Sequence, residues 1–121
     1  MTDDQQLERV LYLLHFAPPY KGAMHYLGIT KASTIGRRLE DHRRGKGAGI
    51  TRRALESGST LTLVRLWHHA TPQDERRVKY NGHFNKLCPL CLHRLPTEEC
   101  RAYPPLVQRV ASSPSTPIVN W

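Results

Sequence analysis

The chain has 121 residues, of which 39% are hydrophobic and 23% are charged. This length suits one domain with one modest core, and the composition is too apolar for a disordered chain. Eighteen lysines and arginines stand against ten acidic residues, which leaves a formal charge of +8, and most of the basic residues are arginine. An arginine-rich excess favours bidentate contacts with a polyanion over a merely solubilising surface. The charge balance therefore predicts a nucleic-acid partner.

Hydropathy and cysteine content bear on location. No apolar run approaches the ~20 residues that cross a bilayer. The first ten residues, MTDDQQLERV, are acidic and polar where a signal peptide would be basic and then apolar. Three cysteines, two of them in a Cys-x-x-Cys pair, do not form the even set typical of a secreted disulfide framework. We expect a cytoplasmic protein without a membrane segment.

Two apolar runs predict the first two strands. Residues 10–16 (VLYLLHF) form a short, nearly continuous apolar run that ends before two prolines, as a buried strand would. Residues 24–30 (MHYLGIT) predict a second strand. The turn residues Tyr20, Lys21 and Gly22 separate them, which indicates an antiparallel hairpin.

Two helices and a third strand follow. The first helix is predicted to begin after a cap at Ser33 or Thr34, to run to about residue 44 and to end at Gly45. Residues 51–57 predict a second helix between two glycines. Residues 61–68 (LTLVRLWH), rich in β-branched and aromatic side chains, predict the third strand.

A strong helix start follows the third strand. Thr71 can cap it, Pro72 suits the first helical position and Asp74 completes a capping box. The helix should reach about residue 80, with Glu75 in its first turn and Lys79 four residues later on the same face. The predicted order is therefore ββααβα, followed by an irregular segment around the cysteines.

Three sequence landmarks in a row resemble those of the GIY-YIG nuclease superfamily over residues 8 to about 88. They are Val10-Leu11-Tyr12, Tyr26-Leu27-Gly28 and the segment RLEDH at residues 38–42, with Glu75 opening a later helix. The following basic loop is similar to that of the repair and structure-specific branch and is not a Walker A loop. Two departures from the family pattern are Val10 in place of a glycine and a longer segment between the second and third landmarks.

The resemblance implies a small mixed α/β (α+β) domain around a central three-stranded antiparallel sheet flanked by helices, which agrees with the predicted order. Residues 8–88 would form the nuclease domain. Residues 89–110 would be a cysteine-containing extension packed on it, and residues 111–121, rich in serine and proline, a flexible tail.

The resemblance also implies a metal-dependent DNA endonuclease acting on double-stranded or branched DNA. Glu75 would hold Mg²⁺ or Mn²⁺, and Arg38 would clamp the scissile phosphate with its planar fork. Tyr12 would position or deprotonate the attacking water. The residues to which the resemblance assigns a catalytic role are Tyr12, Tyr26, Arg38, His42, Glu75 and Asn85. Asn85 is preferred to Asn81 because Asn81 precedes a glycine and suits a turn.

The basic residues around these landmarks are the candidate DNA contacts. They are Arg37, Arg43, Arg44, Lys46, Arg52, Arg53 and Lys79. Two other functions remain open at this point. One is a catalytically impaired nucleic-acid-binding module of the same fold, and the other is a zinc-stabilised interaction domain that binds no nucleic acid.

The cysteine pair indicates a second candidate metal site. Cys88 and Cys91 have the spacing of half a zinc knuckle, and His93 with Cys100 or His83 would complete four ligands. Such an ion would be a structural Zn²⁺. The alternative interpretation is a pair of reduced, partly buried thiols.

Overall fold

The computed structural model describes residues 8–108, and its elements follow the predicted order. The strands are β1 Arg9–Tyr20, β2 Ala23–Lys31 and β3 Thr60–Trp67. The helices are α1 Ile35–Arg43, α2 Gly49–Glu56, α3 Pro72–Asn81 and a short α4 Phe84–Leu87. Both outer strands pair antiparallel with β1, in the order β2-β1-β3, which confirms the predicted fold class. The predicted tail 111–121 lies outside the described residues.

The first strand is longer than predicted, since it continues through both prolines to Tyr20. Proline is tolerated there because the pairing with β2 shifts between His15 and Tyr20, so that no ladder amide is needed at those positions. Tyr20 pairs with Ala23 and closes the hairpin. Lys21 and Gly22 form its turn with φ of 48° and 83°, the conformation that tight hairpins require.

The helix starts show one correct and one wrong prediction. Thr71 and Asp74 form the predicted capping box: the Thr71 hydroxyl accepts from the Asp74 amide at 3.1 Å, and the Asp74 carboxylate accepts from the Thr71 amide at 2.9 Å. Side-chain capping by Ser33 or Thr34 is wrong. Thr34 occupies the cap position, but its hydroxyl donates to the Lys31 carbonyl at 3.1 Å instead of accepting from the helix.

The central strand β1 is buried on both faces, because helices cover both sides of the sheet. Its even-numbered residues, such as Tyr12, face a core shared with α1 and α2. Its odd-numbered residues, such as Leu11, face a second core with Val78 of α3 and Phe84 of α4. The alternation of side chains along a strand explains the division. A strand covered on both faces reads as a continuous apolar run, which accounts for the sequence pattern.

The segment after α4 packs against β3 and contributes to the core. Leu106 exchanges two backbone hydrogen bonds with Leu61, at 2.7 and 2.9 Å. The Thr97 amide donates to the Val64 carbonyl, and Cys100 is buried in the core on the α1 and α2 face. None of the described helices has the length and hydropathy required to cross a bilayer.

Candidate active site

The β1–β2 hairpin and α1 bring four of the six predicted catalytic side chains together. The Tyr12 and Tyr26 rings have centroids 6.1 Å apart, and the His42 ring lies 5.7 Å from Tyr12 and 5.4 Å from Tyr26. Arg38, one turn before His42 on α1, donates from Nε to the Tyr12 hydroxyl at 3.3 Å. The pairing of β1 with β2 and the helical spacing in α1 thus bring together four side chains that are distant in the sequence.

A chain of hydrogen bonds assigns the proton positions at this cluster. The Thr51 hydroxyl donates to the Ala48 carbonyl at 2.8 Å, so its oxygen accepts from His42 Nδ1 at 3.0 Å. His42 Nε2 is then unprotonated and accepts from the Tyr12 hydroxyl at 2.7 Å. Thr51 was not among the predicted site residues. No local pattern marks it, since it meets His42 only when α2 folds against α1.

Burial sets the charge state of the cluster. The side chains of Tyr12 and His42 are both 0% exposed. Burial, with the neighbouring Tyr26, raises the pKa of Tyr12 well above its ordinary value. Burial, with the nearby Arg38 charge, lowers the pKa of His42 to about 4. At neutral pH the pair is therefore a phenol facing a neutral imidazole, and the Arg38 guanidinium is placed to stabilise negative charge on the phenol oxygen.

Two glycines permit this packing. A side chain at Gly28 would place its Cβ less than 3.0 Å from the Tyr12 ring and hydroxyl. A Cβ at Gly47 would likewise lie less than 3.0 Å from the His42 ring. Gly28 belongs to the second sequence landmark, whereas Gly47 was predicted only as part of a basic loop. Both positions keep backbone in close contact with the two buried rings.

Among residues 8–108, no hydrogen bond or ion pair joins Glu75 or Asn85 to the side chains of this cluster. The Glu75 carboxylate pairs with Lys79 Nζ at 3.1 Å. Its helix packs against the other face of the sheet, where it contacts β2. Asn85 is exposed and lines a shallow cleft beside the hairpin turn and His25.

The predicted DNA contacts divide between two clefts and α3. A basic cleft of about 390 Å³ lies between α1 and α2 and is lined by Arg43, Arg44, Lys46 and Arg52. Arg37 and Arg38 line a second cleft of about 310 Å³ with Lys31. Glu40 pairs with both Arg43 and Arg44, which partly neutralises the first cleft. Arg53 and Lys79 line neither cleft, and Lys79 is paired with Glu75.

A cluster with ligand atoms suited to a metal ion lies on the opposite face of the hairpin. His15, His25, Cys88 and Cys91 each offer one atom, and these atoms lie within 4.8 Å of one another. The predicted use of Cys88 and Cys91 is thus consistent with the structure.

The predicted completion by His93 with Cys100 or His83 is wrong. Cys100 is buried in the core across the sheet, and its sulfur accepts from the Thr97 hydroxyl. His93 and His83 are exposed and belong to no metal-ligand cluster among the described residues. The two histidines that do converge on the cysteines come from the hairpin, and no local spacing pattern links them to the cysteines.

Comparison with protein-family models, curated proteins and solved structures finds no match to this chain. The Arg38 guanidinium lines an open cleft, and the Tyr12 hydroxyl is hydrogen-bonded to an unprotonated His42 nitrogen.

Proposed function

We propose that this protein is a metal-dependent endonuclease that hydrolyses phosphodiester bonds in DNA. The observation that carries the proposal is the buried hydrogen-bond chain from Tyr12 through His42 to Thr51, with Arg38 on the Tyr12 oxygen. A tyrosine that only fills a core needs one hydrogen-bond partner. Tyr12 has an oriented proton acceptor and a cation on the same oxygen, which is the arrangement that general-base chemistry requires.

In the proposed reaction, Arg38 binds a non-bridging oxygen of the phosphate and stabilises the charge that develops there. A water positioned by Tyr12 attacks phosphorus, its proton passes to the phenol oxygen, and the phenol proton passes to His42 Nε2. The phosphorus bond to the leaving oxygen breaks, and that oxygen takes up a proton from solvent. His42 Nε2 is unprotonated at neutral pH and already faces the Tyr12 hydroxyl. The lowered pKa makes His42 a weak base, and a phosphate bound at Arg38 would raise this pKa by neutralising the Arg38 charge, which is one of its two causes.

Glu75 is the carboxylate that would hold Mg²⁺ or Mn²⁺. Such ions bind to one or two carboxylates, with water and phosphate oxygens completing the shell, and they would supply charge neutralisation at the leaving oxygen. Glu75 is half-buried and paired with Lys79, so the pair must open for the carboxylate to take this part. We further propose Zn²⁺ as a structural ion at Cys88 and Cys91, with a cytoplasmic location that keeps the thiols reduced.

The DNA backbone would lie along α1 and α2. The basic cleft adjoins the helix that carries Arg38, so one DNA strand would contact Arg52 in the first cleft and Arg38 in the second. Lys46 and Arg52 are exposed and form no ion pair within residues 8–108, which leaves them available for phosphate. Affinity would then be largely electrostatic.

A catalytically impaired nucleic-acid-binding module is the second candidate. Tyr12 is fully buried, and the Glu75 carboxylate is engaged by Lys79 away from Arg38. A protein that kept the basic clefts and lost catalysis would show these same features. Binding without cleavage would favour this candidate.

The test is cleavage of labelled linear, nicked, flap and branched DNA with and without Mg²⁺. Arg38→Lys keeps the charge but loses the fork, and Glu75→Gln removes the charge that would hold the metal. Both should reduce the cleavage rate by orders of magnitude while DNA affinity changes little. Arg77→Lys and Glu98→Gln, exposed positions outside the cluster, are the matched controls and should cleave at the parental rate.

Two results would count against the nuclease. A folded Glu75→Gln protein that cuts at the parental rate in Mg²⁺ would end the assignment of Glu75. A parent that binds every substrate, with binding weakened by salt, and cuts none of them would establish the binding module instead.

A further inference from the structure

We infer that His15, His25, Cys88 and Cys91 are the four ligands of a closed zinc site. The site joins the β1–β2 hairpin, on its face opposite Tyr12, to the segment after α4. The two histidines are a directly opposed pair across the hairpin. Cys88 directly follows α4, and Cys91 lies in the short 3-10 helix Leu90–Leu92. Three separate parts of the chain thus meet at one point.

Four of the six distances between these atoms match tetrahedral zinc, and the other two, both from Cys88 Sγ, are within 4.8 Å. With Zn–S near 2.3 Å and Zn–N near 2.0–2.1 Å, tetrahedral ligands lie roughly 3.3 to 3.8 Å from one another. His15 Nδ1 lies 3.3 Å from His25 Nε2 and 3.3 Å from Cys88 Sγ. Cys91 Sγ lies 3.4 Å from His25 Nε2 and 3.7 Å from His15 Nδ1.

Hydrogen bonding alone does not account for this arrangement. An imidazole nitrogen makes one hydrogen bond along its lone pair or N–H. His15 Nδ1 instead lies at similar distances from three potential ligand atoms, those of His25, Cys88 and Cys91. Atoms that converge in this way share a centre, which is the position of a bound ion.

The donor set selects the ion and its role. Two thiolates and two imidazoles suit Zn²⁺, whereas Mg²⁺ and Ca²⁺ prefer oxygen ligands. Four protein ligands leave no open coordination position, which is typical of structural zinc. Cys88 is fully buried, and the Phe84 ring packs 6.0 Å from the His25 ring. The site is therefore shielded enough to hold the ion.

The zinc site includes residues of β1 and β2, the same two strands that carry Tyr12 and Tyr26. His15 and His25 face one side of the hairpin, and Tyr12 and Tyr26 face the other. The continuous pairing of β1 with β2 ends at the His15 and His25 pair. An ion at this pair would hold the strand register, so we assign it a positioning role.

Zinc content and cobalt spectroscopy of the purified full chain test the site without DNA. Protein prepared under reducing conditions should contain about one zinc per chain, and Co²⁺ substitution should give the intense visible bands of tetrahedral, thiolate-bound cobalt. His25→Ala and Cys91→Ser should lose the metal. His93→Ala and Cys100→Ser, which alter a histidine and a cysteine outside the cluster, should retain it.

The variant His25→Cys distinguishes loss of a ligand from failure to fold. It replaces one zinc ligand by another and should therefore retain the metal. Chelation of the parent should lower its Tm, and zinc should restore it. The site is overturned if the folded parent binds neither zinc nor cobalt and melts unchanged after chelation. It is also overturned if His25→Ala keeps full zinc while His93→Ala loses it. Neither result depends on whether the protein cleaves DNA.

Discussion

Gly28 lies directly opposite Tyr12 in the pairing of β2 with β1, so a substitution at Gly28 tests how tightly the Tyr12 ring is packed. We predict that Gly28→Ala lowers the free energy of unfolding by roughly 1–3 kcal/mol, since the new methyl group overlaps a buried ring that has no room to move. It should also reduce any cleavage by displacing the Tyr12 hydroxyl from His42. Urea unfolding and cleavage assays measure the two effects.

Gly36→Ala is the matched control. Gly36 lies in α1, where the nearest atom to an added Cβ would be 3.9 Å away, on Tyr103. Alanine there should stabilise the protein by roughly 0.4–1 kcal/mol, because it reduces the conformational freedom of the unfolded chain. Equal effects of the two substitutions would show that Gly28 has no special packing role.

His42 gives the protein a predictable pH dependence. Its pKa is lowered to about 4 in the folded state by burial and by Arg38, against about 6.5 when unfolded. The unfolded chain therefore binds the proton more tightly than the folded protein does. The contribution of neutral His42 to the free energy of unfolding is complete above about pH 6.5 and is lost as the pH falls towards 4. At about 1.4 kcal/mol per pKa unit, the loss is on the order of 3 kcal/mol.

Urea unfolding of the parent and of His42→Gln between these pH values measures the effect. The parent should lose more stability on acidification than the variant, which has no titrating group at this position. His15 and His25 are present in both proteins, so their titration cancels in the comparison. Parallel stability curves for the two proteins would contradict the prediction.

At the scale of elements, α1 and α2 together form the basic cleft. Arg52 of α2 lines this cleft together with Arg43, the last residue of α1, and Arg44, which follows it. If a phosphate occupies this cleft, Arg52→Ala should reduce the slope of log affinity against log salt by about 0.9. Arg77→Ala is the control, because Arg77 lies on α3 and pairs with Asp74. Fluorescence anisotropy over a salt series gives the slopes, and identical slopes for parent and Arg52→Ala would place the DNA elsewhere.

At the scale of the whole molecule, the sheet separates two kinds of chemistry. The Tyr12 and His42 cluster lies on the α1 and α2 face, and the cysteine and histidine cluster lies on the face covered by α3 and α4. Both depend on the β1–β2 hairpin. Residues 89–108 join this unit directly, since Leu106 pairs with Leu61 of β3 and Cys100 lies in the core.

The sequence by itself determined the elements, their order and much of the Tyr12 cluster. Capping chemistry located α3, and apolar runs located the strands, because both are local properties of the chain. Arg38 and His42 share a face through helical spacing alone. Together with the sequence landmarks, this spacing is enough to group them with Tyr12 and Tyr26.

Only the tertiary structure decided which histidines lie beside the cysteine pair and which side chains contact the buried His42. A regular hairpin closed by the Tyr20 and Ala23 pair would set His15 opposite Gly28, but the register shift in β1 sets it opposite His25. Thr51 reaches His42 through the packing of α2 on α1, and Val78 packs the helix that carries Glu75 against the second core of the sheet. Register shifts and the choice of face arise from contacts between residues distant in the chain, and local sequence patterns do not encode them.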